Sequence, residues 1–196
     1  MPMSIRPDPR EVAPVAARIH NALVDDPEYP RLIEGCGQYN NDWTCMTGTL
    51  TVSSWDTDRD AVPLLGEALK ALAIKAAVHQ LTGDEVLAEI PVAKPVDEVM
   101  HAVLAQRTAT ERMAARCGFQ VVHMTDTERA EPPYEAGDYT TMCYAKAYGT
   151  EPPSRYWLDH DEHDRRVKVI GERLARAGIR DLGHRHDIDF EEALPA

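Results

Sequence analysis

From Val62 to Gln80 the chain reads VPLLGEALKALAIKAAVHQ. Leu64, Leu65, Ala68, Leu69, Leu72 and Ala76 recur at the three- and four-residue spacing of one helical face, and Gly83 follows as a stop. Any fold must accommodate this helix. Its most apolar part, Leu69–Val78, is interrupted by Lys70 and Lys75 and is too short to cross a bilayer. The N-terminal residues MPMSIRPDPREV lack a cationic segment followed by an apolar one, so no signal peptide is expected there.

Elements of both periods surround that helix. Met3–Arg6 alternates and predicts a short first strand. Asp8 can cap a helix with Pro9 at its first position, and Val12, Val15, Ala16, Ile19 and Leu23 then make an apolar face. A short second helix is expected over YPRLIEG. Trp43–Trp55, rich in Thr, Val and Trp, reads as extended. Glu85–Val92 reads as a strand, and a helix from Pro95 to about Arg116 is closed by Gly118-Phe119. Phe119–Met124 and Tyr139–Tyr148 read as further strands. Pro152-Pro153 marks a boundary, after which Val167, Ile170 and Leu174 share a helical face. The expectation is an α/β domain over residues 1–150, then a C-terminal helical extension and acidic tail over 151–196.

The formal net charge is −12, which repels nucleic-acid phosphates and anionic lipid, so neither nucleic acid nor membrane is an expected partner. The four cysteines, Cys36, Cys45, Cys117 and Cys143, form no C-x-x-C pair and read as reduced thiols of a cytoplasmic protein.

Two segments carry a resemblance. MSIRPDPREVAPVAARI is similar to the first strand and helix of the GNAT (GCN5-related N-acetyltransferase) superfamily, and ATERMAARCGFQVV to its late helix and the Gly-Phe that opens the next strand. The resemblance spans roughly residues 3–148 and implies a mixed, mostly antiparallel sheet flanked by helices. It implies acetyl-CoA or another acyl-CoA as cofactor. Val52, Ser53 and Ser54 would hold the pantetheine arm, with Arg59 and Val62 at the pyrophosphate turn. Ala114 stands where many members carry an acidic tyrosine. Asp56, Asp58 and Asp60 bring negative charge to the phosphate position, so the implied activity is that of a divergent or degenerate N-acyltransferase with an amine acceptor, on a small molecule or protein.

The same aspartates allow a different chemistry. Asp56, Asp58, Asp60 and Glu67 match positions 1, 3, 5 and 12 of a calcium loop, although Ala61 stands where that loop needs glycine. His160-x-x-His163 with Asp159, Asp161 and Asp164, and the run HRHDID at His184–Asp189, are two further His/Asp clusters. Two alternatives therefore stand beside the acyltransferase: a non-enzymatic binding or assembly module, homo-oligomeric in one form, and an acidic divalent-metal-binding module.

Overall fold

A computed structural model describes residues 5–39, 57–124, 132–180 and 185–186. The described residues are helical: α1 (Pro9–Val24), α2 (Tyr29–Tyr39), α3 (Thr57–Thr82), α4 (Glu85–Ala88), α5 (Lys94–Ala105), α6 (Arg107–Cys117), α7 (Tyr139–Tyr148) and α8 (His160–Arg176). The β structure among them is one two-residue antiparallel ladder, β1 (Ile179–Arg180) with β2 (Arg185–His186). The expected α/β sheet is therefore not formed among the described residues, and the GNAT resemblance is withdrawn with it. The acetyl-CoA expectation, which rested on that fold, loses its footing too.

Helix α3 is the axis of the molecule. Leu64, Leu65, Ala68, Leu69, Ala71, Leu72, Ala73, Ile74, Ala76, Ala77 and Val78 are buried on all sides of it. A helix apolar all round belongs inside a bundle, and its alanines let neighbours approach closely. Helices α1, α5 and α7 pack around it. In α1, Asp8 accepts a hydrogen bond from the backbone N–H of Arg10, while the Glu11 carboxylate accepts from the N–H of Asp8. This capping box starts the helix as the sequence predicts, and Val12, Ala16, Ile19 and Leu23 are buried along it. No helix of the described residues is long and apolar enough to cross a membrane.

Three predicted strands fail for identifiable reasons. Tyr139–Tyr148 is helix α7: the Asp138 side chain accepts from the N–H of Thr141 at 2.9 Å, and Gly149, left-handed at φ 72°, closes the other end. Both helix ends are specified, and Thr140, Thr141 and Tyr144 make the buried face at helical spacing. In Glu85–Val92, Asp84 caps the single turn α4 by accepting from Val86 and Leu87 N–H. The chain then runs through 89–93 with no helix or ladder, and side chains take carbonyls along it and in the turn before it. Arg6 donates to Leu87 O and Glu89 O, and Thr140 Oγ1 donates to Pro91 O at 2.7 Å. Residues 119–124 are likewise in no helix and no ladder, and Met124 N–H is received by the Glu89 carboxylate at 3.0 Å. Of the first predicted strand, Ile5 and Arg6 are described and are not in a ladder, with Ile5 84% exposed. The extended reading of Trp43–Trp55 lies outside the described residues.

The helix expected from Pro95 to Arg116 is two. Gln106, at ψ 41°, breaks it, and its side-chain amide donates to Gly35 O in α2 at 3.0 Å. A Cβ on Gly35 would lie 2.7 Å from that amide oxygen, so glycine permits the contact. Beyond Pro153, Tyr156 and Trp157 return to the body of the protein and are buried.

Candidate metal centre

Helix α5 begins at Lys94-Pro95, where proline suits a first turn, and buries Val96, Val99, Met100 and Val103 against α3 and its neighbours. Asp97 and His101, four apart, fall on one strip of this helix. The non-helical segment 119–124 passes beside them and delivers His123. One ligand atom from each of Asp97, His101 and His123 lies within 4.8 Å of the others. His101 Nε2 and His123 Nε2 are 3.0 Å apart, and Asp97 Oδ2 is 3.9 Å from His101 Nε2. Asp97 is buried, and its Oδ1 accepts no hydrogen bond.

Behind His123 lies a buried charge pair. Lys75, inside α3 and wholly buried, makes a very short ion pair with Glu89. Its ammonium is also 3.4 Å from His123 Nδ1. An ammonium has only hydrogens to offer, so His123 Nδ1 is the acceptor and its ring hydrogen sits on Nε2. That hydrogen then points at His101 Nε2. Burial, then the Lys75 charge, hold the His123 imidazole below its ordinary pKa, which keeps the ring neutral and fit to ligate. The Glu89 carboxylate thus serves twice, holding Lys75 with one oxygen and the backbone of Met124 with the other.

This donor set fits a divalent transition metal. Two imidazoles and a carboxylate suit zinc, iron, cobalt or nickel rather than calcium, which prefers oxygen alone. At a metal–nitrogen distance of about 2.0–2.1 Å, tetrahedral ligands sit roughly 3.3 Å apart, close to the imidazole separation here. A cation held here would take the place of the hydrogen between the two Nε2 atoms, and Lys75 could supply the hydrogen that a ring bound through Nε2 carries on Nδ1, leaving Lys75 as a neutral amine beside Glu89.

Those residues expected from sequence that are described lie elsewhere. Val52, Ser53, Ser54 and Asp56 are outside the described residues, and Asp58 is placed only as backbone of α3. Val62 is exposed on that helix, and Arg59 is exposed and paired with Asp60. Asp60 is buried and receives Arg155 Nε at 2.7 Å and Tyr156 OH at 2.9 Å. Glu67 is buried two turns on, receiving Tyr144 OH at 2.8 Å, Trp157 Nε1 at 2.8 Å and Lys70 Nζ at 2.9 Å. The two carboxylates thus serve separate sets of donors. On α8, His160 Nε2 and His163 Nδ1 both face the Asp164 carboxylate, at 3.4 and 3.3 Å. The side chains of the HRHDID run are outside the described residues.

Asp97, His101 and His123 are absent from the sequence-derived candidates. The Asp97-x-x-x-His101 spacing on a predicted helix was a usable signal; the arrival of His123 depends on tertiary structure. No family model matches the chain, and no curated protein or solved structure matches it.

Proposed function

We propose that the protein is a divalent-transition-metal-binding helical module, with Asp97, His101 and His123 as its ligands. This is the metal reading of the sequence at residues other than the acidic run. The observation that carries it is the meeting of two imidazole Nε2 atoms at 3.0 Å, with Asp97 Oδ2 3.9 Å from one of them, on a buried carboxylate whose other oxygen lacks a donor. A buried carboxylate oxygen left unpaired costs on the order of 1–3 kcal/mol or more, and a cation removes that cost. Among the described residues three ligands converge, and a metal held by three protein ligands would keep an open coordination position, as reactive or ligand-binding centres do.

The test is direct. Chelator-stripped protein is titrated with Co²⁺ and Zn²⁺, following visible d–d absorption and calorimetric heat. One equivalent is expected to bind, and His101→Ala and His123→Ala are expected to weaken binding at least tenfold with the helical circular dichroism unchanged. Absence of binding, or wild-type binding by both variants, overturns the reading.

A further inference from the structure

Helix α8 carries an apolar strip that the core does not use. Val167, Ile170 and Leu174 recur at helical spacing and are half-buried. Among the described residues, the core and the side chains packed against it do not include them. Of the described elements, α8 packs chiefly on β1, the short strand that follows it. Its first turn is tied to the body, where His163 is buried and His160 N–H donates to Tyr134 O at 3.3 Å.

Charge along this helix is divided end from end. From Asp159 to Asp164 there are four carboxylates and no lysine or arginine. From Arg165 to Arg176 there are five cations and one carboxylate, Glu172. Glu162 is held within the helix by Arg165 and Arg166, at 2.6 Å each. Asp161 and Asp164 then set the sign of one end, and Lys168, Arg173 and Arg176 that of the other.

We propose that α8 pairs with α8 of a second copy of this chain, antiparallel, about a two-fold axis near Val167 and Ile170. A two-fold interface sets the same surface against itself, so that surface must be self-complementary. Antiparallel pairing meets this condition. The acidic half of each helix lies against the basic half of the other, and the two apolar strips meet between them. Parallel pairing would set acid on acid and base on base. The chain's net charge of −12 opposes association. Packed helix axes lie about 8–10 Å apart, near the ~8 Å screening length of physiological salt, so facing charges on α8 act while more distant repulsion is damped. At 17 residues the helix is about 26 Å long. One such pair covers less than the roughly 1,200 Å² of a standard interface, so the dimer is reversible, with dissociation on the order of micromolar or weaker. This gives the assembly reading of the sequence a surface, and it is independent of the metal reading.

The experiment is sedimentation equilibrium of the full chain from roughly 1 to 300 μM, a span set by that affinity. Chelator is present so that no metal bridges two copies. The mass is expected to climb from one chain toward two. Ile170→Asp, which places a charge in the apolar strip, is expected to remove the climb. Arg173→Glu/Arg176→Glu leaves the helix net acidic, and Asp161→Lys/Asp164→Lys leaves it net basic. Each of these variants alone is expected to associate at least tenfold more weakly than the wild type. Their equimolar mixture is expected to form a heterodimer, which also shows that both are folded. A wild-type chain that stays monomeric throughout overturns the proposal. So does a dimer that survives Ile170→Asp, or a mixture that stays monomeric while each variant keeps the helical circular dichroism. Should a charge variant lose that signal, the wild type and Ile170→Asp decide between the same outcomes.

Discussion

Trp157 donates its indole N–H to Glu67 Oε2 at 2.8 Å, joining the segment after Pro153 to the central helix. The same oxygen receives Tyr144 OH, so α3, α7 and the returning segment meet at one carboxylate. A hydrogen bond to a charged group contributes about 1.5–3 kcal/mol, so Trp157→Phe is expected to lower unfolding free energy by about that much. Urea denaturation checks it. Glu67→Leu is expected to cost more, because it strands two buried donors, and a smaller loss than for Trp157→Phe would refute the clamp.

The Lys75–Glu89 pair is buried on both sides. Removing one partner of such a pair costs about 3–5 kcal/mol, whereas apolar replacement of both is often near neutral. Lys75→Met is expected to be strongly destabilising, and the Lys75→Met/Glu89→Gln double variant less so than the sum of the singles. A double-mutant cycle by chemical denaturation measures the coupling, and additivity would argue against it.

In the proposed metal site, Asp97 would set metal binding against stability. In chelator, Asp97→Asn is expected to be at least as stable as the wild type, because it removes a buried charge with an unpaired oxygen. With saturating Zn²⁺ the order is expected to reverse, since stabilisation by a ligand follows its affinity for the native state. Thermal melts with and without metal decide this, and an unchanged order would count against Asp97 as a ligand.

Acid is expected to destabilise the fold below neutrality. His20, edge-on to the Tyr148 ring, is held below its ordinary pKa of 6.5 by burial and then by Lys70, with Glu67 opposing. At higher pH the ring is neutral in both states and the stability is fully present. As pH falls below 6.5, the unfolded chain takes up a proton before the folded one does, and stability is lost toward the folded pKa. His20→Phe keeps a ring beside Tyr148 and is expected to flatten this dependence between pH 7 and 5 (approximate limits set by the histidine range), measured by urea denaturation in chelator. An unchanged slope would exclude His20 from the effect.

Helices whose ends and faces were both marked in the sequence were legible. Asp8-Pro9 starts α1, Gly83 follows α3, and Gly118 ends α6 with its left-handed φ of 70°. The strands were misread because alternation over a few residues competes poorly with capping. Asp138 and Gly149 bracket α7 as plainly as any alternation marks a strand, and Asp84 does the same for the start of α4. Pairing of the apolar runs 89–93 and 119–124 depends on distant side chains, Arg6, Thr140 and Glu89, that no local window contains. For the same reason the site was half visible. Asp97 and His101 share a helix, but Lys75 appeared only as an interruption of an apolar run, and His123 lies on a segment that sequence assigned to a sheet.

That segment sets how the centre opens. Residues 119–124 are not helical, and although Val122 is buried in the core, their polar ties to the bundle run through side chains rather than a ladder. Local opening of such a stretch costs less than global unfolding. Lifting it carries His123 away while Asp97 and His101 stay on α5. Exchange of a metal held by the proposed ligands would then proceed by a hinged departure of His123, on a faster clock than the unfolding of the bundle, and amide hydrogen exchange at residues 120–124 would run ahead of that in α3.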